Sequence, residues 1–148
     1  MDIDVRVVDS ADGVPHDALA VRETVFVEEQ GVPADIEVDD HEEEATHFVA
    51  YDGDEPVGAA RLRALDERTG KVERVAVLAA CRDGGVGTAL MERLEAVARQ
   101  RGLETLTMHS QISAEPFYER LGYERVGEQF EEAGIPHVEM YKALDCRS

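Results

Sequence analysis

Tryptophan is absent from this chain of 148 residues, cysteine occurs twice, and 15 basic residues face 33 acidic ones. Each scarcity excludes something. Cys81 and Cys146 form no C-x-x-C pair, so no disulfide framework is expected, and both read as free thiols of a reducing cytoplasm. No stretch approaches the ~18 apolar residues of a membrane span, and no leader sequence precedes the first strand, so a soluble, cytoplasmic chain is expected. The shortage of Lys and Arg leaves a net charge of −18. That field repels nucleic acid and anionic lipid surfaces, which argues against both as partners. Histidine is sparse too. His41, His47, His109 and His137 share the chain with Asp39 and Asp40, but at no ligand spacing such as H-E-x-x-H, and no metal is expected. Aromatics are few at 5%, yet a hydrophobic share of 43% still supports a core. The length suits one domain over residues 1–148.

Acid is what the chain has in excess. It is spread widely and is densest over residues 37–44 (Glu-Val-Asp-Asp-His-Glu-Glu-Glu). Spread acid of this kind is a pattern of proteins that work in high salt, where screening relieves self-repulsion. A solvated acidic face is the ordinary reading of the run; a docking patch for a cationic partner is the alternative.

Periodicity orders the chain. Ile3, Val5 and Val7 alternate with polar neighbours in a half-buried first strand. Pro15 suits the first turn of a helix whose apolar stripe, Leu19, Val21, Val25 and Phe26, reaches about residue 27. Gly31 and Pro33 end it. A long acidic loop follows to about residue 45, where it could wall a substrate pocket. Strands are predicted at 47–51, 56–65 and 71–78, joined by turns at 52–55 and 66–70. A helix over 86–101 carries Val86, Ala89, Leu90, Leu94, Val97 and Ala98 on one face, and Gly102 stops it. A strand at 103–108, a short helix at 113–121 and strands at 123–130 and 137–144 complete the chain. The order β-α-β-β-β-α-β-α-β-β predicts an α/β (α+β) domain with a mixed sheet. The strands at 71–78 and 103–108, joined across the long helix, should be parallel neighbours.

The densest signal lies at 72–88: a strand, a turn, then Arg82-Asp83-Gly84-Gly85-Val86-Gly87-Thr88 opening a helix. Glycines let a ligand approach the backbone closely, and a helix N-terminus offers unpaired N–H groups and a positive dipole end. That is an anion site, suited to phosphate or pyrophosphate, although the same pattern also serves as a plain tight connection. No Lys follows the last glycine, so this is no triphosphate loop, and the G-x-G-x-x-G pattern is also missing. Backbone donors are left to hold the anion, with Arg82 as a charge-assisted partner.

Val77, Arg82, Gly85, Val86 and Gly87 resemble the V-x(4)-R-x-x-G-[IV]-G signature of the GCN5-related N-acetyltransferase (GNAT) superfamily. Gln111, Ala114, Phe117, Tyr118, Gly122 and Tyr123 look like its second signature, and the element order is similar over nearly the whole chain. Val25-Phe26-Val27-Glu28-Glu29-Gln30, the Asp39-Asp40 pair and Gly134-Ile135-Pro136-His137 with Met140 resemble the ElaA-type branch.

The resemblance implies a mostly antiparallel sheet flanked by helices, whose central parallel pair splays to hold acetyl-CoA. It implies that Val75, Ala76 and Val77 pair with the pantetheine arm. The loop Arg82, Asp83, Gly84, Gly85, Val86, Gly87 and Thr88 would cradle the pyrophosphate, with Gln111 and Phe117 contacting the cofactor. Two positions depart from the pattern: Asp83 stands where the family has Gly, and Ala79 where it has Pro. The implied reaction is direct acetyl transfer to a primary amine. Tyr118 is the acid by family position, against the alternative of a core tyrosine. Glu73, two and four residues before Val75 and Val77 and so expected on their strand face, is the candidate base; a salt-bridged Glu is the alternative. His137 is a candidate to line the acceptor pocket, and Cys81 reads as an incidental thiol. The acceptor is expected to be a small-molecule or peptide amine, with the acid of 39–44 hinting at a cationic one, and a homodimer is compatible with the edge strands. A non-catalytic acyl-CoA-binding module or sensor is the alternative function.

Overall fold

A computed structural model describes residues 3–9, 13–82 and 84–144, without the side chain of Glu43. Asp83 and Cys146 therefore lie outside the described residues. The strands are β1 (Ile3–Val8), β2 (Thr46–Asp52), β3 (Glu55–Ala64), β4 (Thr69–Val77), β5 (Thr105–Gln111), β6 (Glu124–Glu132) and β7 (Ile135–Ala143). They form one mixed sheet in the order β1-β2-β3-β4-β5-β7-β6. Every neighbouring pair is antiparallel except β4 and β5, which are parallel as the crossover requires.

Two helices cover opposite faces. Helix α3 (Val86–Gln100) buries Val86, Leu90, Met91, Leu94, Val97 and Ala98 with Phe48, Leu62, Val72 and Leu106. Its apolar residues recur every three or four positions, so one stripe meets the sheet. Each such leucine, fully buried, stabilises the fold by about 1.5–3 kcal/mol over exposure. Gly58 of β3 lets the helix come close: a Cβ there would sit 2.8 Å from Val86 Cγ1 and 2.9 Å from Leu90 Cδ1.

On the other face lies α1 (His16–Arg22), continued by a π-helical segment, Glu23–Glu29. The inward stripe differs from the expected one. Ala18, Val21, Arg22 and Val25 are buried, whereas Leu19 and Phe26 are only partly so. The buried apolar members pack with Val49, Tyr51, Ala59 and Ala76. An arginine on this stripe announces an ionic interior.

The acidic loop is solvated only in part, with Asp35, Asp40 and Glu44 exposed. It holds a short helix α2 (Ala34–Glu37) and a 3-10 turn at Glu42–Glu44, and it buries Glu37 and Glu42. The short helix expected at 113–121 begins as a 3-10 turn, Ile112–Ala114, and continues as α4 (Glu115–Arg120). Strand β5 starts two residues later than expected because the Leu103 N–H still donates to Ala98 O at 3.0 Å, closing α3.

Candidate active site

Strands β4 and β5 pair only where residues 69–72 face residues 105–108. Beyond Val72 they part, and among the described residues no strand pairs with the β5-facing edge of β4. A cleft of about 1170 Å³ opens there, reaching from the start of α3 to α2 on the opposite face.

A β-bulge shapes this edge. Ala59 pairs with Ala76 but Arg61 with Glu73, so β4 carries one extra residue, and Arg74 takes a φ of 57°. The bulge shifts the side-chain alternation by one. Val75 and Val77 pack against the α3-side core, whereas Ala76 belongs to the cluster under α1. Glu73 points with Arg61 towards the α1 side. Glu73 therefore does not share a face with Val75 and Val77, and simple alternation fails at Arg74.

At one end of the cleft α3 begins. Its N-cap is Gly85, in the left-handed region at φ 86°, and among the described residues no side chain caps the helix. A Cβ at Gly87 would sit 3.0 Å from Phe117 Cζ, so the glycine keeps the first turn tight against that ring. Gly85, Val86, Gly87, Thr88 and Phe117 all line the cleft. Uncapped amides at a dipole's positive end make an anion site, and among the described residues no side chain hydrogen-bonds to it. Arg82 is not a free cation. It donates to Val77 O at 3.0 Å and forms a bidentate pair with Glu29 at 2.6 and 2.7 Å. Gln111, at the end of β5, exchanges amide hydrogen bonds with Gln30 at 2.8 and 3.4 Å, so the pair links the end of the π-helical segment to β5.

Tyr118 sits in the cleft wall, edge-on to Phe117 and Tyr123 with ring centroids 5.0 and 5.8 Å away. Tyr123 is anchored in turn: its hydroxyl donates to the buried Glu95 at 3.0 Å, and Lys142 donates to the other oxygen of that carboxylate at 2.8 Å. Burial pushes the Tyr118 phenol well above its ordinary pKa, so it stays protonated.

At the other end the walls are charged side chains. Arg22 donates to Glu37 at 2.8 Å and to both oxygens of Glu42 at 2.8 and 2.6 Å. Arg61, fully buried, holds Asp39 through two bonds and Glu73 at 2.8 Å, with Glu42 at 3.1 Å. Arg74 reaches Glu37 and Asp39, each at 3.1 Å. Burial alone would raise the Asp39 and Glu42 carboxyls, but hydrogen bonds from Arg61 and from Arg22 outweigh it and hold both at about 2. Burial opposes the shift of Glu73 too, and hydrogen bonds and charge from Arg63 and Arg61 still lower it. A carboxylate held this way is a weak proton acceptor, so the expectation of Glu73 as the base meets the wrong environment.

The remaining histidines are also placed. His137 donates from Nδ1 to Ile135 O at 2.7 Å, and His109 Nδ1 lies 2.9 Å from Glu132. Both histidines and Glu132 line the cleft. His41 pairs with Glu44, and His47 is buried with Nε2 on Glu42 O. Among the described residues no three of His, Cys, Asp and Glu gather as a metal site. Sequence reading missed Arg22, Arg61, Arg63, Lys71 and Arg74. The available signal was charge inside apolar periodicity: Arg22 beside Val21, and Arg61 between Ala60 and Leu62.

The model of the acetyltransferase (GNAT) domain matches residues 10–144. An uncharacterized N-acetyltransferase of Bacillus subtilis, YjcF, is 47% identical over 127 residues, covering 85% of this chain and 90% of its own. The fold is similar to that of Escherichia coli ElaA, with a TM-score of 0.83, 26% identity and coverage of 95% of this chain and 99% of that one. It is also similar to an acyl-CoA N-acyltransferase from Pseudomonas aeruginosa, with a TM-score of 0.82, 28% identity and coverage of 96% and 100%.

Proposed function

Because the chain belongs to the GNAT acetyltransferase family, we propose that it moves the acetyl group of acetyl-CoA to a primary amine by direct transfer. One observation carries this reading: an unpaired β4 edge runs up to the uncapped start of α3. An arm with amide groups can add to such an edge as a strand would, and its pyrophosphate then meets the helix N-terminus. Val75, Ala76 and Val77 offer the edge. Gly84, Gly85, Val86, Gly87 and Thr88 offer the amides, with Phe117 and Gln111 beside the arm, Arg82 at the phosphates and Asp83 next to them in sequence.

Transfer needs three things of the protein. The amine must approach unprotonated, the thioester must be held beside it, and the departing sulfur must receive a proton. As the amine nitrogen bonds to the carbonyl carbon the C–S bond breaks. Tyr118 gives its hydroxyl proton to the sulfur, and its raised pKa keeps that proton available at neutral pH. Glu73 anchors Arg61, Arg63 and Lys71 instead of taking the amine proton, which leaves to solvent in the cleft. The surplus of carboxylates is read as fitness for high salt, so the assay belongs there.

CoA release from acetyl-CoA is measured with a panel of amines, for wild type and Tyr118→Phe. Turnover by the wild type is expected, with kcat reduced about 10²-fold or more in the variant and acetyl-CoA affinity unchanged. Equal rates remove the acid role. Tight CoA binding without release by any amine means a non-catalytic acyl-CoA module instead.

A further inference from the structure

The acid of residues 39–44 hints at a cationic acceptor, yet the charges that reach the cleft point the other way. Most carboxylates facing it are already held by arginines, which they share. Glu37 is held by Arg22 and Arg74, Asp39 by Arg61 and Arg74, and Glu29 by Arg82. Glu132 lies against His109. Glu73 is the reverse case, one carboxylate shared by three cations. Arg61 takes it at 2.8 Å, Arg63 at 3.2 Å, and Lys71 approaches only to 3.6 Å. Among the described residues Arg63 otherwise reaches only the exposed Glu44, at 3.7 Å.

Lys71 and Arg63 therefore keep donors that Glu73 cannot satisfy. They are cross-strand partners on β4 and β3, so their side chains rise from the same face. Their side chains are 20% and 17% exposed, and both line the cleft. Desolvated cations of this kind favour a carboxylate over water, and an arginine fork beside an ammonium suits its two oxygens.

We infer that Arg63 and Lys71 form an anion subsite and that the acceptor is a primary amine that also bears a carboxylate, such as an amino acid. The inference rests on the acetyl-transfer reading above. The carboxylate docks on Lys71 and Arg63, and the amine is left to face the thioester.

The test compares common α-amino acids with their α-carboxamides as acceptors, following CoA release, with acetyl-CoA binding followed by calorimetry. Wild type and Lys71→Gln are used. Lys71 makes one long ion pair, so the variant is expected to fold, and its Tm verifies that. Amino acids should be preferred over their amides, and Lys71→Gln should raise their KM by about tenfold or more. The KM for amides and the affinity for acetyl-CoA should stay put. Amides consumed as well as acids, or an unchanged KM in Lys71→Gln, overturns the subsite while acetyl transfer stands. Acetyl-CoA bound but no amine consumed by wild type overturns acetyl transfer, and the subsite with it.

Discussion

The two ends of the cleft are built from different materials. Around the start of α3 the working groups are backbone: a glycine at positive φ, uncapped amides and a strand edge, all within residues 75–88. Around Arg61 they are side chains from α1, α2, β3, β4 and the 3-10 turn at Glu42–Glu44, which meet only when the chain is folded. A backbone site is local and tolerant of what surrounds it. A network of buried ions is neither, because each member's charge is compensated by others far off in sequence.

The largest break in this contrast should come from Arg22→Ala. It strips Glu42 of its closest partner and Glu37 of one of two cations, and a buried pair broken from one side costs about 3–5 kcal/mol. Denaturant unfolding should report that loss, and a change below about 1 kcal/mol would show that the network is not a keystone of the fold.

A smaller effect separates the two ends by pH. Asp39 and Glu42, ordinarily at 3.8 and 4.5, are held at about 2. Carboxyls depressed in the folded state stabilise fully above their unfolded values, and that stability drains as pH falls towards the folded ones. Tm should thus be level above pH 5 and fall from about 4.5 down to 2. Asp39→Asn with Glu42→Gln should start lower and lose less over that window. Identical slopes in both proteins would discount the network as the source.

The smallest effect belongs to the backbone end. Glu29→Gln frees Arg82 from its exposed partner, and acetyl-CoA should bind tighter by about threefold or less, since exposed pairs are weak and screened by salt. Calorimetry at two salt concentrations checks this. Weaker binding in the variant would mean that Glu29 positions Arg82 rather than competing for it.

The same contrast explains what was readable in the sequence. Residues 82–88 could be read as an anion loop because the glycines, the strand before and the helix after lie in one short window. The parallel neighbours β4 and β5 followed from a crossover of the expected length. Arg61 and Glu42 could not be paired by inspection, since nothing in a linear pattern ties residue 42 to 22 and 61. The acidic run read as solvent-facing because acid usually is, and burial of Glu37 and Glu42 depends on arginines supplied from elsewhere. Glu73 was misplaced for a different reason: strand alternation assumes an even count, and Arg74 makes it odd.

That odd residue has a wider consequence. By shifting the phase of β4 halfway along its length, Arg74 hands Lys71 and Glu73 to one compartment and Val75 and Val77 to another. Deleting a single residue there would restore plain alternation and turn Glu73 onto the face of Val75 and Val77.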